Sequence, residues 1–187
     1  MKKYFRDETG MYVDWKQLDR LPKIDTLIDI GVGPMGTPEL YERFDSATLL
    51  LIDPLDETEN YINKNLNDRH VIFHKCGVGK ESAQLIINVE EEIGRSSILD
   101  VTDINYEGEA VDRREIEIKT LDSIVSSEGD LGKLGVKIDT EGFELNIILG
   151  ASETLKSAAF VLAEVRHNHE SFHGVYKLHE FISAMHD

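Results

Sequence analysis

Residues 26–53, TLIDIGVGPMGTPELYERFDSATLLLID, decide the fold. Leu27, Ile28 and Ile30 form an apolar run of strand length, and Gly31, Gly33 and Gly36 follow it with G-x-G-x-x-G spacing. Glycine permits positive φ and lets a ligand lie against bare backbone. Thr37 and Pro38 read as the N-cap and first residue of a helix, because proline lacks the N–H that this position leaves unpaired. Leu40, Tyr41 and Phe44 supply that helix's apolar face. A second apolar run covers residues 48–52, and Asp53 stands at its end, where a carboxylate accepts hydrogen bonds from ribose hydroxyls. Together these pieces describe a β-α-β unit that binds a nucleoside.

Two residues inside the motif bear on which nucleoside. Asp29, two positions before Gly31, sets a negative charge where the pyrophosphate of a dinucleotide would lie, whereas the ammonium and sulfonium of S-adenosylmethionine would be attracted. Pro34 removes one N–H from a turn that a pyrophosphate would want full of donors. Both favour the cationic cofactor. An NAD-dependent oxidoreductase on the same unit is the alternative, and a non-catalytic interaction module that keeps the cofactor site is the third reading.

A chain of 187 residues supports one domain with a proper core, read here as a capping segment over residues 1–25 and a cofactor-binding domain over 26–187. The formal net charge of -16 argues against a nucleic-acid backbone or an anionic membrane surface as partner. Cys76 is the single cysteine, so no intrachain disulfide is possible and a reducing cytoplasm fits. The first residues hold no apolar signal region and no run reaches transmembrane length, which again predicts a cytoplasmic protein.

Beyond Asp53 the pattern predicts a helix over 56–67 and a strand over 71–76. The Gly77-Val78-Gly79-Lys80 turn then leads into a strand over 84–89. The connection is too short for a parallel crossover, so these two strands are expected to pair as an antiparallel hairpin. Residues 90–114 carry many acids and few apolar side chains and read as a long surface loop, a common place for substrate contacts. Further elements are a strand over 115–119, a helix from Thr120, a strand over 136–139 ending in Asp139, and a helix over 142–149. A strand over 159–165 with Glu164 near its end and a last amphipathic helix complete the chain. A short helix is expected near residues 14–20. Alternating strands and helices imply a mostly parallel sheet covered on both faces, the α/β class.

The chain resembles the FkbM family of S-adenosylmethionine-dependent methyltransferases over residues 24–185. The resemblance rests on LIDIGVGPMG, LLIDPLDE, Ser96-Ser97-Ile98, IEIKTLDSI and above all KIDTEGFELNIILGA, followed by LAEV. It implies the class I methyltransferase (Rossmann-like) fold and O-methylation of a small-molecule or glycan hydroxyl. Carried over by position, Asp29, Gly31, Gly33 and Gly36 would line the methionine side of the cofactor. Asp53 would hold the ribose, Gly77 would lie near the adenine, and Asp139 would face the methionine end or the acceptor. The family's first motif usually reads D-x-G-A-N-x-G; here it is one residue longer to the last glycine, and Lys80 stands where family members commonly carry an acid. Class I methyltransferases normally end in two further strands. Here these C-terminal strands are expected to be absent, leaving residues 159–163 as an unpaired sheet edge that self-associates or is covered by the terminal helix and the N-terminal segment.

Methyl transfer to oxygen needs an acceptor held in line and a group to receive its proton. Asp139, Glu141, Glu164 and His167 are the candidates, because they cluster at the ends of two neighbouring predicted strands. Asp139, Glu141 and Glu164 also form a set of oxygen ligands that would suit a divalent cation such as magnesium, which the sequence leaves undecided. His167, His169 and His173 read as a solvated run rather than a zinc site, since no second ligand cluster accompanies them. Cys76 reads as a small core residue beside the adenine site.

Overall fold

The computed structural model describes residues 5–6, 12–13, 15–100, 110–165 and 173–186, with side chains from Leu18 onward. A two-stranded antiparallel ribbon, β1 (Phe5–Arg6) and β2 (Tyr12–Val13), and a 3-10 turn (Trp15–Arg20) come first. The β-α-β unit follows as β3 (Thr26–Ile30), α1 (Pro38–Arg43) and β4 (Thr48–Ile52). Next come α2 (Asp56–Asn65), β5 (Val71–His74), β6 (Gly77–Val78), β7 (Ala83–Glu90), a 3-10 turn (Ile93–Arg95) and β8 (Ala110–Lys119). The described chain closes with α3 (Leu121–Glu128), β9 (Leu134–Ile138), α4 (Glu144–Leu149), α5 (Ser152–Ser157), β10 (Phe160–Ala163) and α6 (Leu178–His186).

Five strands pair in the order β10-β9-β3-β4-β5, all parallel. The chain steps outward from β3 to β5, then returns to lay β9 on the other flank of β3. Strand order therefore reverses between β3 and β9, the point at which open α/β sheets part to admit a ligand at their C-terminal ends. Ile30 and Ile138 are register partners there, so the turn at Gly31 and the acid at Asp139 leave the sheet side by side.

The period of two along each strand sorts the core into two layers. Ile28, Ile30, Leu50, Ile52, Val136 and Ile138 meet α3, α4 and α6 through Leu121, Ile124, Ile147, Ile148 and Phe181. Leu27, Leu49 and Leu51 meet Leu40, Tyr41, Phe44 and Ile62 on the opposite side. Every residue of β3 is buried, including Asp29. A charge in that position must be paired.

The expected hairpin does not form. β5 completes the parallel sheet, whereas β7 pairs antiparallel with β8 and β6 lies parallel to β8 in a separate three-stranded sheet. Val71 and Phe73 of β5 already pack in the α1 layer. Ile87 and Val89 of β7 are buried with Ile116 and Ile118 of β8 and with Leu55. Arg114 ties this small sheet to α2 by a two-pronged contact with Glu57 at 2.9 and 3.0 Å. The stretch read as one long loop is thus shortened from both sides: β8 begins at Ala110, and Asn88 bridges to Ser97. Residues 101–109 lie outside the described residues.

Two boundaries also move. α4 starts at Glu144 rather than at 142, because Glu141 and Gly142 have φ of 55° and 101°, which no right-handed helix accommodates. Thr37 is the N-cap of α1, yet its hydroxyl makes no cap hydrogen bond and donates instead to Asp29 Oδ2 at 3.1 Å. The α5 helix was not expected. Among the described residues β10 is an edge strand; Val161 and Ala163 pack into one core layer, and Phe160 stacks on Phe44 in the other at 5.6 Å. No described helix is long and apolar enough to cross a membrane.

Candidate active site

A cleft of about 620 Å³, counting space open to solvent, lies at the reversal point. Its walls come from three sources. The turn after β3 contributes Gly31 and Gly33, the end of β4 contributes Asp53 and Leu55, and the loop after β9 contributes Asp139, Thr140, Glu141 and Phe143. The small sheet roofs it with an apolar slot that includes Cys76, Gly77, Val78, Ile87 and Ile116.

Asp53 is buried at the end of β4, and each of its oxygens accepts one backbone N–H at 2.9 Å: Oδ2 from Gly33 and Oδ1 from Leu55. A carboxylate oxygen has room for a second donor. Burial raises the Asp53 carboxyl above its ordinary value, opposed by those two N–H groups. Gly33 has φ of 63° and faces open space: a Cβ there would meet nothing nearer than Gly94 Cα at 3.9 Å. Bare backbone thus faces the cleft from Gly33 in this turn and from Gly94 in the 3-10 turn Ile93–Arg95. Cys76 lines the slot with its thiol pushed up by burial to about 11, so it stays protonated and acts as a small apolar wall.

The loop after β9 is held by residues on every side of it. Asp139 N–H donates to the Ile30 carbonyl at 3.1 Å. Glu144, fully buried, folds back so that its Oε1 accepts from the N–H groups of Thr140 and Gly142 and from the Thr140 hydroxyl, at 3.0–3.1 Å. Its Oε2 accepts from the Tyr176 hydroxyl at 2.9 Å. Glu144 thus shapes the loop rather than merely facing the helix N-terminus. The Ser97 hydroxyl donates to the Glu141 carbonyl at 2.8 Å, which accounts for the Ser96-Ser97-Ile98 block. Glu141 is the one non-glycine residue with positive φ among the described residues, a strained conformation of the kind that clusters at functional sites.

Glu164 stands at the rim, where its N–H donates to the Ile138 carbonyl at 2.9 Å. The residue is exposed at the surface. Loss of hydration, then the charge of Asp139 and a hydrogen bond to it, raise Glu164 to about 8. The two carboxyls are therefore hydrogen-bonded neighbours. Asp139, Glu141 and Glu164 each bring an oxygen to within 4.8 Å of the others, a hard donor set of the kind that suits magnesium.

Gly31, Gly33, Asp53, Gly77, Asp139 and Glu141 thus meet at one cleft, with Glu164 beside Asp139. Asp29 does not join them. It is fully buried behind the turn, where its Oδ2 accepts from the Tyr41 hydroxyl at 2.6 Å and its Oδ1 lies 3.0 Å from Lys137 Nζ. A charge so neutralised neither repels a pyrophosphate nor attracts a sulfonium, so the electrostatic case built on Asp29 falls. Gly36 also lies outside the lining, against Tyr61 and Tyr41. His167 lies outside the described residues, as does His169. Sequence reasoning passed over Lys137, whose signal was present: a lysine inside an apolar strand.

The parallel sheet, its strand order and the cleft at the reversal point define an α/β protein with a Rossmann-like architecture. Residues 34–186 match the Methyltransferase FkbM domain, and the chain belongs to that family. It is 23% identical over 151 residues to Methyltransferase 1 of Beauveria bassiana (strain ARSEF 2860), covering 71% of this chain and 60% of that protein. It also resembles the crystal structure of Methyltransferase FkbM from Methylobacillus flagellatus KT, at 17% identity and a TM-score of 0.43 over 71% of this chain and 30% of that one. The chain therefore spans less than two thirds of the length of either relative.

Proposed function

We propose that this protein transfers a methyl group from S-adenosylmethionine to a hydroxyl of a small-molecule or glycan acceptor. The observation that carries the reading, beside family membership, is the conjunction at one cleft of a bare glycine turn, the strand-end Asp53 and the loop acid Asp139, with Glu164 hydrogen-bonded to Asp139. Gly31 and Gly33 would hold the methionine portion, Asp53 the ribose, and the slot of Leu55, Cys76, Val78, Ile87 and Ile116 the adenine. When bound, the cofactor supplies a methyl activated by its sulfonium: the acceptor oxygen takes the methyl carbon, the C–S electron pair stays on sulfur, and the hydroxyl proton is released. Asp139 receives that proton, and Glu164 orients the acceptor through its own O–H. Positioning by such groups contributes several kcal/mol, and a well-placed base about 10²–10⁴-fold in rate.

Calorimetric titration with S-adenosylmethionine and with NAD(H) tests the reading. Micromolar binding of S-adenosylmethionine with no heat from NAD(H) is expected, and the opposite result would return the protein to the oxidoreductases. Family membership, and no longer the charge of Asp29, favours the first outcome.

Asp53→Ala is expected to weaken S-adenosylmethionine binding by about 1.5–3 kcal/mol, the range for hydrogen bonds to a charged group. It should also lower stability by about 1–3 kcal/mol, because the N–H groups of Gly33 and Leu55 lose their acceptor. Calorimetry and urea denaturation read the two effects separately. An unchanged dissociation constant would remove Asp53 from the site.

A further inference from the structure

Ser97 and Glu141 are 44 residues apart in the chain, yet a buried hydroxyl joins them. Ser97 Oγ accepts from the Leu99 N–H at 3.1 Å, which directs its single proton to the Glu141 carbonyl at 2.8 Å. The backbone of Ser97 is held as well. Asn88 and Ser97 exchange N–H···O bonds at 2.8 and 3.1 Å, and Asn88 Nδ2 donates to the Leu99 carbonyl and to Asp100 Oδ1, each at 3.2 Å. The segment after the 3-10 turn is thus strapped to β7. Ser96 and Ile98 line the cleft from this strap, while Ser97 between them grips the loop after β9.

The residue it grips is strained. Glu141 has φ of 55°, which costs a residue with a side chain free energy and persists only where the surroundings over-determine it. Here they do so. The N–H groups of Thr140 and Gly142, on either side of Glu141, both donate to Glu144 Oε1, and Ser97 takes the carbonyl of Glu141 itself. Held in this way, Glu141 lies on the cleft wall with a carboxylate oxygen within 4.8 Å of one on Asp139 and one on Glu164. Relaxation to the right-handed region would rotate its Cα–Cβ bond and carry that carboxylate elsewhere.

We propose that Ser97 is a positioning residue of the methyl-transfer site: by holding the Glu141 carbonyl it keeps residue 141 left-handed, so that the Glu141 carboxylate stays beside Asp139 to accept a hydrogen bond from the acceptor. This rests on the function proposed above. The strap then has two jobs in one short segment. Ser96 and Ile98 form part of the cofactor's seat, and Ser97 sets the acceptor side of the cleft in register with that seat.

The test compares Ser97→Ala with Ser97→Thr, which keeps the hydroxyl. In the ligand-free protein, hydrogen exchange read by NMR should show the amides of Thr140 and Gly142 exchanging about fivefold faster in Ser97→Ala, as the loss of one net hydrogen bond implies, while those of β3 and β4 keep the parent's protection. Turnover is measured with S-adenosylmethionine and whichever of a panel of methyl glycosides and small alcohols the parent methylates fastest. It should fall about 10–100-fold in Ser97→Ala, the effect of misplacing a group at the reacting centre. KM for S-adenosylmethionine should stay within about threefold. Ser97→Thr should stay near the parent in both exchange and turnover. A double-mutant cycle decides the matter even where the added methyl of threonine is not accommodated. Glu141→Gln should itself lower turnover about tenfold, and adding Ser97→Ala to it should cost less than about threefold more, because the hydroxyl acts through that carboxylate. Full additivity of the two substitutions, unchanged turnover in Ser97→Ala, or exchange quickened equally across β3 and β4 would overturn the assignment and leave Ser97 as a structural contact. A parent protein that methylates nothing in the panel would overturn the proposed function instead, and the exchange measurement, made without cofactor, distinguishes the two failures.

Discussion

Gly31→Ala is expected to destabilise the protein by about 2–5 kcal/mol, a large fraction of the roughly 5–15 kcal/mol that stabilises an ordinary domain. Gly31 has φ of 76°, and a Cβ built on it would lie 1.8 Å from the carbonyl oxygen of Asp139 and 2.8 Å from its carbonyl carbon. The left-handed backbone alone costs a residue with a side chain about 1–2 kcal/mol, and forced overpacking adds about 1–3 kcal/mol. Relief by side-chain rotation is closed off, because the obstacle is backbone. That backbone is itself fixed: Gly31 N–H donates to the Ile52 carbonyl at 3.0 Å, and Asp139 N–H to the Ile30 carbonyl at 3.1 Å. Moving either strand end would break the junction at which the cleft opens. Urea denaturation followed by circular dichroism provides the measurement. A Gly31→Ala protein with the parent's midpoint would mean that the ends of β3 and β9 are not in contact.

Asp139→Asn is expected to lower turnover by about 10²–10⁴-fold, the range for loss of a general base, while changing the affinity for S-adenosylmethionine far less. The asparagine keeps the shape of the side chain and its place in the loop, so the protein should fold. It cannot take a proton. A second consequence follows from the pair. Burial, the charge of Asp139 and the hydrogen bond to it hold Glu164 near 8, so neutralising Asp139 should let Glu164 fall toward its ordinary value of 4.5. The sign for stability follows as well. A carboxyl raised in the folded state contributes stability below its ordinary range and loses it as pH rises through about 8, so that pH-dependent loss should shrink in Asp139→Asn. Steady-state kinetics at saturating cofactor, set beside a carboxyl titration, tests both halves. Preserved turnover with weakened cofactor binding would make Asp139 a cofactor-holding residue only.

What could be read from the residues was whatever depends on order along the chain. The apolar runs at 27–30 and 48–52, the glycines between them and the acid at 53 specify a β-α-β unit by their spacing alone, and its parts stand where that spacing puts them. Alternation of strands and helices likewise implied a parallel sheet, because a crossover helix leaves adjacent strands no other arrangement. The block from Lys137 to Glu144 carried the family and placed Asp139 and Glu141 at the cleft.

What lay beyond the sequence was whatever depends on which surfaces meet. β7 chose β8 over its neighbour in sequence because Ile87 and Val89 are buried against Ile116 and Ile118, a choice made by packing across an interval of chain that no local rule spans. Asp29 and Gly36 carry the residue types of a binding motif, but the strand's pleat turns Asp29 toward Tyr41 and Lys137, and Gly36 packs on Tyr61. Whether a strand's acid faces a ligand or an ion-pair partner is set by the register of the next strand. Here the register of β9 against β3 placed an ammonium 3.0 Å from one carboxylate and 3.5 Å from another. Those two distances, invisible in the order of residues, put one acid in a buried ion pair inside the sheet and leave the other at the cleft.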